Sequence, residues 1–470
     1  MKSILKAFSA VALTGVMVLP VLADDATTTT DAKDTKDLKK VIEDQGINYV
    51  ETAQKGITLS GYVDVSYTEQ FGGRGTGFGG SQAIGHQFDV NNDNFNVNAV
   101  KIALEKALPD KNEWAAGFRI DTILGSDAKF LGDSAFGGSS SSINSGTSSS
   151  VSTSTSYPIA LEQALVKFRI PVGNGLDIYA GKFVTFLGYE VIESPANPNF
   201  SRGLLFTNAI PLTHTGVYAD YKFNDTFEAK FGVVDGWNNS ISPGSTGSPN
   251  ATDLQNHYSF GGKAITGQLN INAPGKNANI TQSFIYSPDG ENYGTGAGFD
   301  NGPVFVYDIW GNWSPTFVKD SALTLGFNAD FGYNGATGSP LEGNYGFGQG
   351  NPDDVSGSHF FSGDHDSNTW YGIALYAQYK LNKVITLAAR GEYLHSDAGE
   401  FEKFGAFDTN VDDFSETLTA SFAIWDNLLT RAEYRYDHVV NGTIFPSGNS
   451  VGQATYQDQN EVSLEAVYSF

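Results

Sequence analysis

The sequence predicts an all-β, transmembrane, antiparallel up-and-down β-barrel of about 16 strands. Three observations carry that prediction: apolar and polar residues alternate with period two from Ile57 to the end, short and long connections alternate without exception, and the chain ends on an apolar strand face with Phe470 last. Nothing in a soluble sandwich forces connections to alternate in length. A membrane barrel does so, with short turns on one rim and long loops on the other.

The elements follow in order. Lys2 and Lys6 precede an apolar stretch over 7–22, and Val21-Leu22-Ala23 supplies small residues for cleavage, so residues 1–23 read as a secretory signal peptide. That stretch is broken by Pro20 and is too short for a membrane anchor. Its removal takes two of the 28 Lys+Arg and none of the 52 Asp+Glu, which moves the net charge from −24 to −26. Export of a chain with no Cys fits a fold that needs no disulfides. Residues 24–56 read as a polar periplasmic leader with a short helix expected at 37–44, and the sequence does not choose between a leader that stays in the periplasm and one that enters the pore from below.

Ile57, Leu59, Gly61, Val63, Val65 and Tyr67 then alternate with Thr58, Ser60, Tyr62, Asp64, Ser66 and Thr68, giving one lipid-compatible and one polar face. The same pattern predicts strands at 57–71, 95–108, 113–125, 157–171, 176–186, 213–223, 227–237 and 259–272. It continues at 277–288, 304–315, 321–334, 369–381, 385–396, 413–425, 428–439 and 459–470. Strands of this length suit a tilted membrane crossing. Seven connections are short, and eight long polar segments lie between them at 72–94, 126–156, 187–212, 238–258, 289–303, 335–368, 397–412 and 440–458. An even strand count with this alternation puts both termini in the periplasm; one hairpin more or fewer would give 18 or 14 strands. Trp237, Trp310, Trp313, Trp370, Trp425, Tyr67 and Phe186 fall near strand ends, where interfacial girdles are expected.

Composition narrows the function. Charged residues make up only 17% of the chain, and the acidic excess disfavours nucleic acid, whose phosphates require basic surfaces. Assigning the polar parity inward places Lys101, Arg119, Lys167, Arg169, Lys182, Lys222, Lys230, Arg390, Arg431 and Arg435 in the lumen. Asp64, Glu105, Asp121, Asp220, Glu228, Asp330, Glu392, Glu433, Asp437 and Glu465 face them. A charged interior implies water inside. The balance of the wall also means that the overall charge does not by itself predict a cation channel.

Residues 181–219, GKFVTFLGYEVIESPANPNFSRGLLFTNAIPLTHTGVYA, together with 231–238, FGVVDGWN, resemble the β-barrel porins of the OmpL-like group. The resemblance implies an outer-membrane barrel over 57–470 in a Gram-negative type envelope, and supplies no catalytic residues. The block falls on the third long loop, which in general diffusion porins folds inward. That position implies a constriction built from Lys182, Glu190, Glu193, Arg202 and His214, where opposed charges across a narrow gap would set ion preference.

Chemical motifs weigh little here. Gly75-Thr76-Gly77-Phe78-Gly79-Gly80 has dinucleotide-loop spacing but no helix after it, and Gly448-Asn449-Ser450-Val451-Gly452 has nucleophile-elbow spacing inside a loop. Asp89, Asn91 and Asp93 begin like a calcium loop, but Asn94 stands where the turn Gly belongs and Val100 where the bidentate acid does. His359, Asp364, His365 and Asp366 lack strict ligand spacing, and 137–156 is serine-rich low-complexity loop. The reading is a non-enzymatic outer-membrane porin that passes small hydrophilic solutes and ions by diffusion, without cofactor or metal. Its partners are outer-membrane lipid and the barrel-assembly machinery, engaged through the strand ending at Phe470. Analogy with general porins adds a homotrimer. The alternative is a receptor or adhesin displayed on a barrel anchor, for which deleting a loop would abolish binding and leave permeability unchanged.

Overall fold

A strand with lipid on one side and water on the other must alternate its side chains. In hydrocarbon no backbone amide or carbonyl can stay unpaired, so the sheet has to close on itself. The computed structural model describes residues 56–71, 86, 88–89, 93–131, 159–238, 263–288, 299–300, 303–335, 337–338, 368–397, 411–441, 445–446 and 455–470. Its sixteen antiparallel barrel strands each pair with their chain neighbours, and the last pairs with the first.

The strands are β1 (Ile57–Phe71), β2 (Asn94–Lys106), β3 (Ala115–Leu124), β4 (Ile159–Ile170), β5 (Leu176–Val184), β6 (Thr213–Lys222), β7 (Phe227–Val234) and β8 (Ala264–Asn272). They continue as β9 (Ala278–Ser287), β10 (Val304–Trp313), β11 (Leu323–Asn334), β12 (Asn368–Lys380), β13 (Ile385–Ser396), β14 (Val411–Trp425), β15 (Leu428–Asn441) and β16 (Asp458–Ser469). Closure reaches the last residue: Phe470 and Gly61 exchange two backbone hydrogen bonds, each 2.9 Å. A Cβ on Gly61 would sit 2.8 Å from the Phe470 ring and 2.1 Å from the Lys101 carbonyl oxygen, so only glycine fits at this seam.

The two faces separate as the alternation requires. Leu59, Val63, Ile102, Ile120, Val166, Phe168, Val217, Phe231, Ile280, Phe331, Leu375 and Leu418 are exposed on the outside. An apolar surface of this extent belongs in lipid. Trp114, Trp313, Phe317 and Trp425 lie beside short turns and are also exposed, forming a girdle on that rim. Four residues expected in the girdles do not belong there: Phe186, Trp237, Trp310 and Trp370 are buried. Trp310 has the inward parity of Val306 and Asp308. The Trp370 indole covers Gly332, where an added Cβ would lie 1.8 Å from Cε2, and its Nε1 donates to the Ala209 carbonyl at 3.2 Å.

Among the described residues three long connections return into the barrel. That between β1 and β2 brings in His86, Phe88 and Asp89, the next carries a 3₁₀ turn at Ser126–Leu131, and the third a 3₁₀ turn at Ser194–Ala196 and the helix α1 (Leu204–Asn208). Residues 187–212 were expected to be polar; in fact Leu187, Ile192, Leu204, Leu205, Phe206, Ile210 and Leu212 join one buried apolar cluster with Phe88, Phe130 and Leu131. The signal peptide 1–23, the leader through residue 55, the glycine motif 75–80, the serine-rich 137–156, the cluster 359–366 and the motif 448–452 lie outside the described residues.

Candidate functional site

The lumen wall follows from strand register, because directly paired residues of an antiparallel ladder share a face. Tyr62 pairs with Lys101, Lys101 with Ile123, Glu105 with Arg119, and Gly117 with Lys167, all turned inward. Across the seam Ser66 pairs with Glu465, Glu465 with Arg431, and Thr417 with both Arg435 and Arg390. Asp220 pairs with Lys230 and Lys222 with Glu228. Asp64, Asp121, Arg169, Asp330, Glu392, Glu433 and Asp437 share this inward face.

Two wall residues stand apart from the expected set. Lys222 has the inward parity but sits exposed at the rim, 2.9 Å from Asp225. Lys182 pairs with Ala164 and Thr215, out of phase with the inward Tyr179 and Asp177. Gly181 before it has φ +136°, a left-handed twist that breaks simple alternation, and Lys182 ends buried with Nζ 3.3 Å from the Leu131 carbonyl oxygen.

Residues 185–212 run from β5 to β6, yet their partners lie on the far wall. Arg390 donates to Glu190 Oε1 at 2.7 Å and to the Ser201 carbonyl at 2.6 Å. Glu433 accepts the backbone N–H groups of Phe200 at 2.6 Å and Ser201 at 2.9 Å. Arg431 donates to the carbonyls of Ser194 at 3.1 Å and Asn197 at 2.7 Å, and to Glu465 at 3.1 Å. Arg435 donates to the Arg202 carbonyl at 2.7 Å, and Lys101 holds Glu193. Nearer wall strands contribute Asn328, which accepts from the Tyr189 N–H at 2.8 Å, and Gln268, which donates to the Phe186 carbonyl at 2.7 Å. The segment therefore crosses the lumen and is clamped at both sides.

This geometry changes what the five constriction candidates can do. Lys182, Glu190, Glu193, Arg202 and His214 are all buried. Burial pushes the Glu190 carboxyl up, and the Arg390 guanidinium opposes it. Despite its burial, Glu193 is held below the usual carboxylate range by the Lys101 ammonium. Arg202 turns back into its own loop, donating to the Phe200 carbonyl at 2.9 Å and lying 4.8 Å over the Phe88 ring. His214 bonds Thr185 Oγ1 at 3.1 Å and packs beside Phe183, with no carboxylate partner among the described residues. Glu190, Glu193 and Arg202 are thus engaged in holding the loop, and Lys182 meets the connection that carries Leu131.

Several inward groups were not singled out in the sequence. A β-bulge between Asp121 and Thr122 adds Glu162 to the lumen, where its Oε2 lies 2.7 Å from Lys101 Nζ. Asp308 pairs with Asp330 and shares the Asn328 amide, which donates at 2.7 and 3.3 Å. Asp413 and Glu461 are also buried inside. The apolar residues of 187–212 were the available signal for the inward loop, since a solvated loop has no use for Leu204, Leu205 and Phe206. Towards the short-turn rim lie Arg169 and Asp177, both half-buried and 2.6 Å apart, and the buried Lys167 with a half-buried Glu105.

The sequence matches the family described as "Putative beta-barrel porin-2, OmpL-like" across residues 56–470. The chain belongs to this family. It is an outer-membrane porin, a channel-forming barrel of the bacterial outer membrane. Among solved structures it is similar to the outer membrane channel DcaP of Acinetobacter baumannii, 12% identical over 88% of this chain and 97% of that chain, with a TM-score of 0.50. It is also similar to OprB of Pseudomonas putida, at 11% identity, 93% and 97% coverage and a TM-score of 0.48. OmpT of Vibrio cholerae stands at 11% identity, 89% and 99% coverage and a TM-score of 0.47. At 12% identity the likeness to DcaP speaks to fold alone. No curated protein matches the sequence.

Proposed function

We propose that this porin passes small hydrophilic solutes and ions through a lumen narrowed by residues 185–212, with ion preference set by the less buried pairs around Glu105, Arg169 and Asp177. The observation that carries the reading is the clamp itself. Guanidinium and carboxylate groups of β13, β15 and β16 hold the crossing segment at fixed points inside a closed barrel. A fixed constriction sieves by size, while charges nearer solvent bias which ions enter.

The remaining parts fit one arrangement. Residues 1–23 direct export and are removed, residues 24–56 stay with both termini on the periplasmic side, and the strand ending at Phe470 is read by the assembly machinery. Three barrels associate in the membrane. The burial of the lumen charges favours one second reading, in which the barrel is an anchor and the external loops bind a partner. Single-channel recording of the refolded chain in a planar bilayer under a salt gradient separates the two. Stable conductance steps support the channel, and a closed barrel that passes no current would sink it in favour of the anchor.

A further inference from the structure

His86 and Asp89 belong to the connection between β1 and β2, and both are buried against the inner wall of β15 and β16. Asp89 was the first acid of a calcium-like run expected on an external loop; it turns inward instead. His86 Nε2 lies 2.7 Å from Asp437 Oδ2, and its Nδ1 lies 3.0 Å from Asp89 Oδ2 and 3.7 Å from Glu461 Oε2. One ligand atom from each of His86, Asp89 and Glu461 falls within 4.8 Å of the others.

Three features distinguish this cluster from an ordinary patch of acids. First, Asp89 Oδ1 is buried with no partner, while His86 Nδ1, Asp89 Oδ2 and Glu461 Oε2 are buried and meet only one another and, at 3.8 Å, Arg435 Nη1. Orphaned buried polar atoms of this kind are costly, and a cation would satisfy them together. Second, the imidazole has a carboxylate on its far nitrogen, which fixes the ring and leaves Nδ1 as the ligating lone pair, the usual outer support of a metal-bound histidine. Third, the spacing suits zinc. Ligands about 2.0–2.1 Å from a tetrahedral ion stand roughly 3.3 Å apart, and the separations of Asp89 and Glu461 from Nδ1, 3.0 and 3.7 Å, bracket that edge. Asp89, Asp437 and Glu461 bring three negative charges against one from Arg435, whose Nε lies 2.9 Å from Asp437.

The other cluster of three such ligands among the described residues, Asp121, Glu162 and Glu193, already holds the Lys101 ammonium at its centre. We infer that His86, Asp89 and Glu461 bind one divalent transition-metal cation of the zinc type, which ties the β1–β2 connection to β16 inside the barrel. An imidazole nitrogen beside two carboxylates favours zinc over calcium, which takes oxygen ligands.

The test is calorimetric titration of zinc chloride into the refolded full chain after stripping with a chelator, with zinc content measured by elemental analysis. The expected result is one zinc per chain, with at least tenfold weaker binding in both His86→Ala and Glu461→Gln. A His359→Ala/His365→Ala variant controls for the histidines of 359–366 and binds as the wild type does. Glu461→Gln conserves size, so it keeps the test open if His86→Ala fails to fold. Absence of stoichiometric uptake would overturn the inference and leave an imidazolium held by carboxylates. Uptake unchanged in both variants, or saturation by calcium in place of zinc, would overturn it as well. None of these readouts depends on conductance, so the site stands or falls separately from the channel.

Discussion

Replacing Arg390 with Met removes the charge that joins the crossing segment to β13 and keeps most of the side-chain length. In the wild type this guanidinium bonds Glu190 at 2.7 Å, Glu392 at 2.8 Å, the Ser201 carbonyl at 2.6 Å and Thr417 at 3.0 Å. Without it, Glu190 on the segment and Glu392 on the wall become two buried carboxylates with no shared cation. Breaking a buried ion pair by removing one partner costs about 3–5 kcal/mol. At about 1.4 kcal/mol per factor of ten, that shifts the balance between clamped and released segment by roughly a hundredfold to several thousandfold. The backbone ladder is untouched and the barrel stays closed. The anchors at Glu433, Arg431, Arg435 and Lys101 confine the release to the stretch around Glu190. Planar-bilayer recording of Arg390→Met should show an additional, larger conductance level, and adding Glu190→Gln should shift openings back towards the wild-type level by removing the stranded loop charge. A trace indistinguishable from wild type, from a barrel shown to be folded, would refute the clamp as the determinant of pore width.

Three further outcomes follow from the same geometry. Arg169→Gln frees Asp177 near the short-turn rim and should move the reversal potential towards cation preference, while Arg202→Gln, whose side chain faces its own loop, should leave it where it was; equal shifts from both would contradict the assignment. Burial raises the Asp127 carboxyl to about 7, against the opposing pull of Arg202, so its contribution to stability is present at pH 4 and lost as pH rises through 7. Asp127→Asn should therefore melt higher than wild type at pH 8 and show little gain at pH 4, read by thermal unfolding in detergent. Phe470→Ala strips the ring from Gly61 at the closing seam and should lower the yield of heat-modifiable folded barrel on refolding, with no change expected for Val462→Ala further up the same face.

The barrel was legible because its signals are local. Period two and connection length can be read from neighbouring residues, and each of the sixteen strands lies where alternation places it, with ends that differ by a few residues. The inward face was legible for the same reason at Arg119, Asp121, Arg431 and Glu433. It failed at Glu162, where a bulge adds to the lumen a carboxylate that strict alternation points outward, while Lys182 ends inside as expected although Gly181 breaks the phase before it. The clamp was not legible, since Arg390 and Glu190 stand 200 positions apart and no local pattern reports that they meet. Charges in a loop look alike in sequence whether they face solvent or a buried partner. The apolar content of 187–212 was the clue that separates the two cases.

The central claim is a water-filled lumen whose width is set by the crossing segment. Single-channel conductance of the refolded chain, compared with a variant in which residues 189–209 are replaced by a short glycine-serine linker, tests it most directly. The account predicts stable steps from the wild type and distinctly larger steps from the variant. Equal steps from both, or no current from either folded barrel, would contradict it.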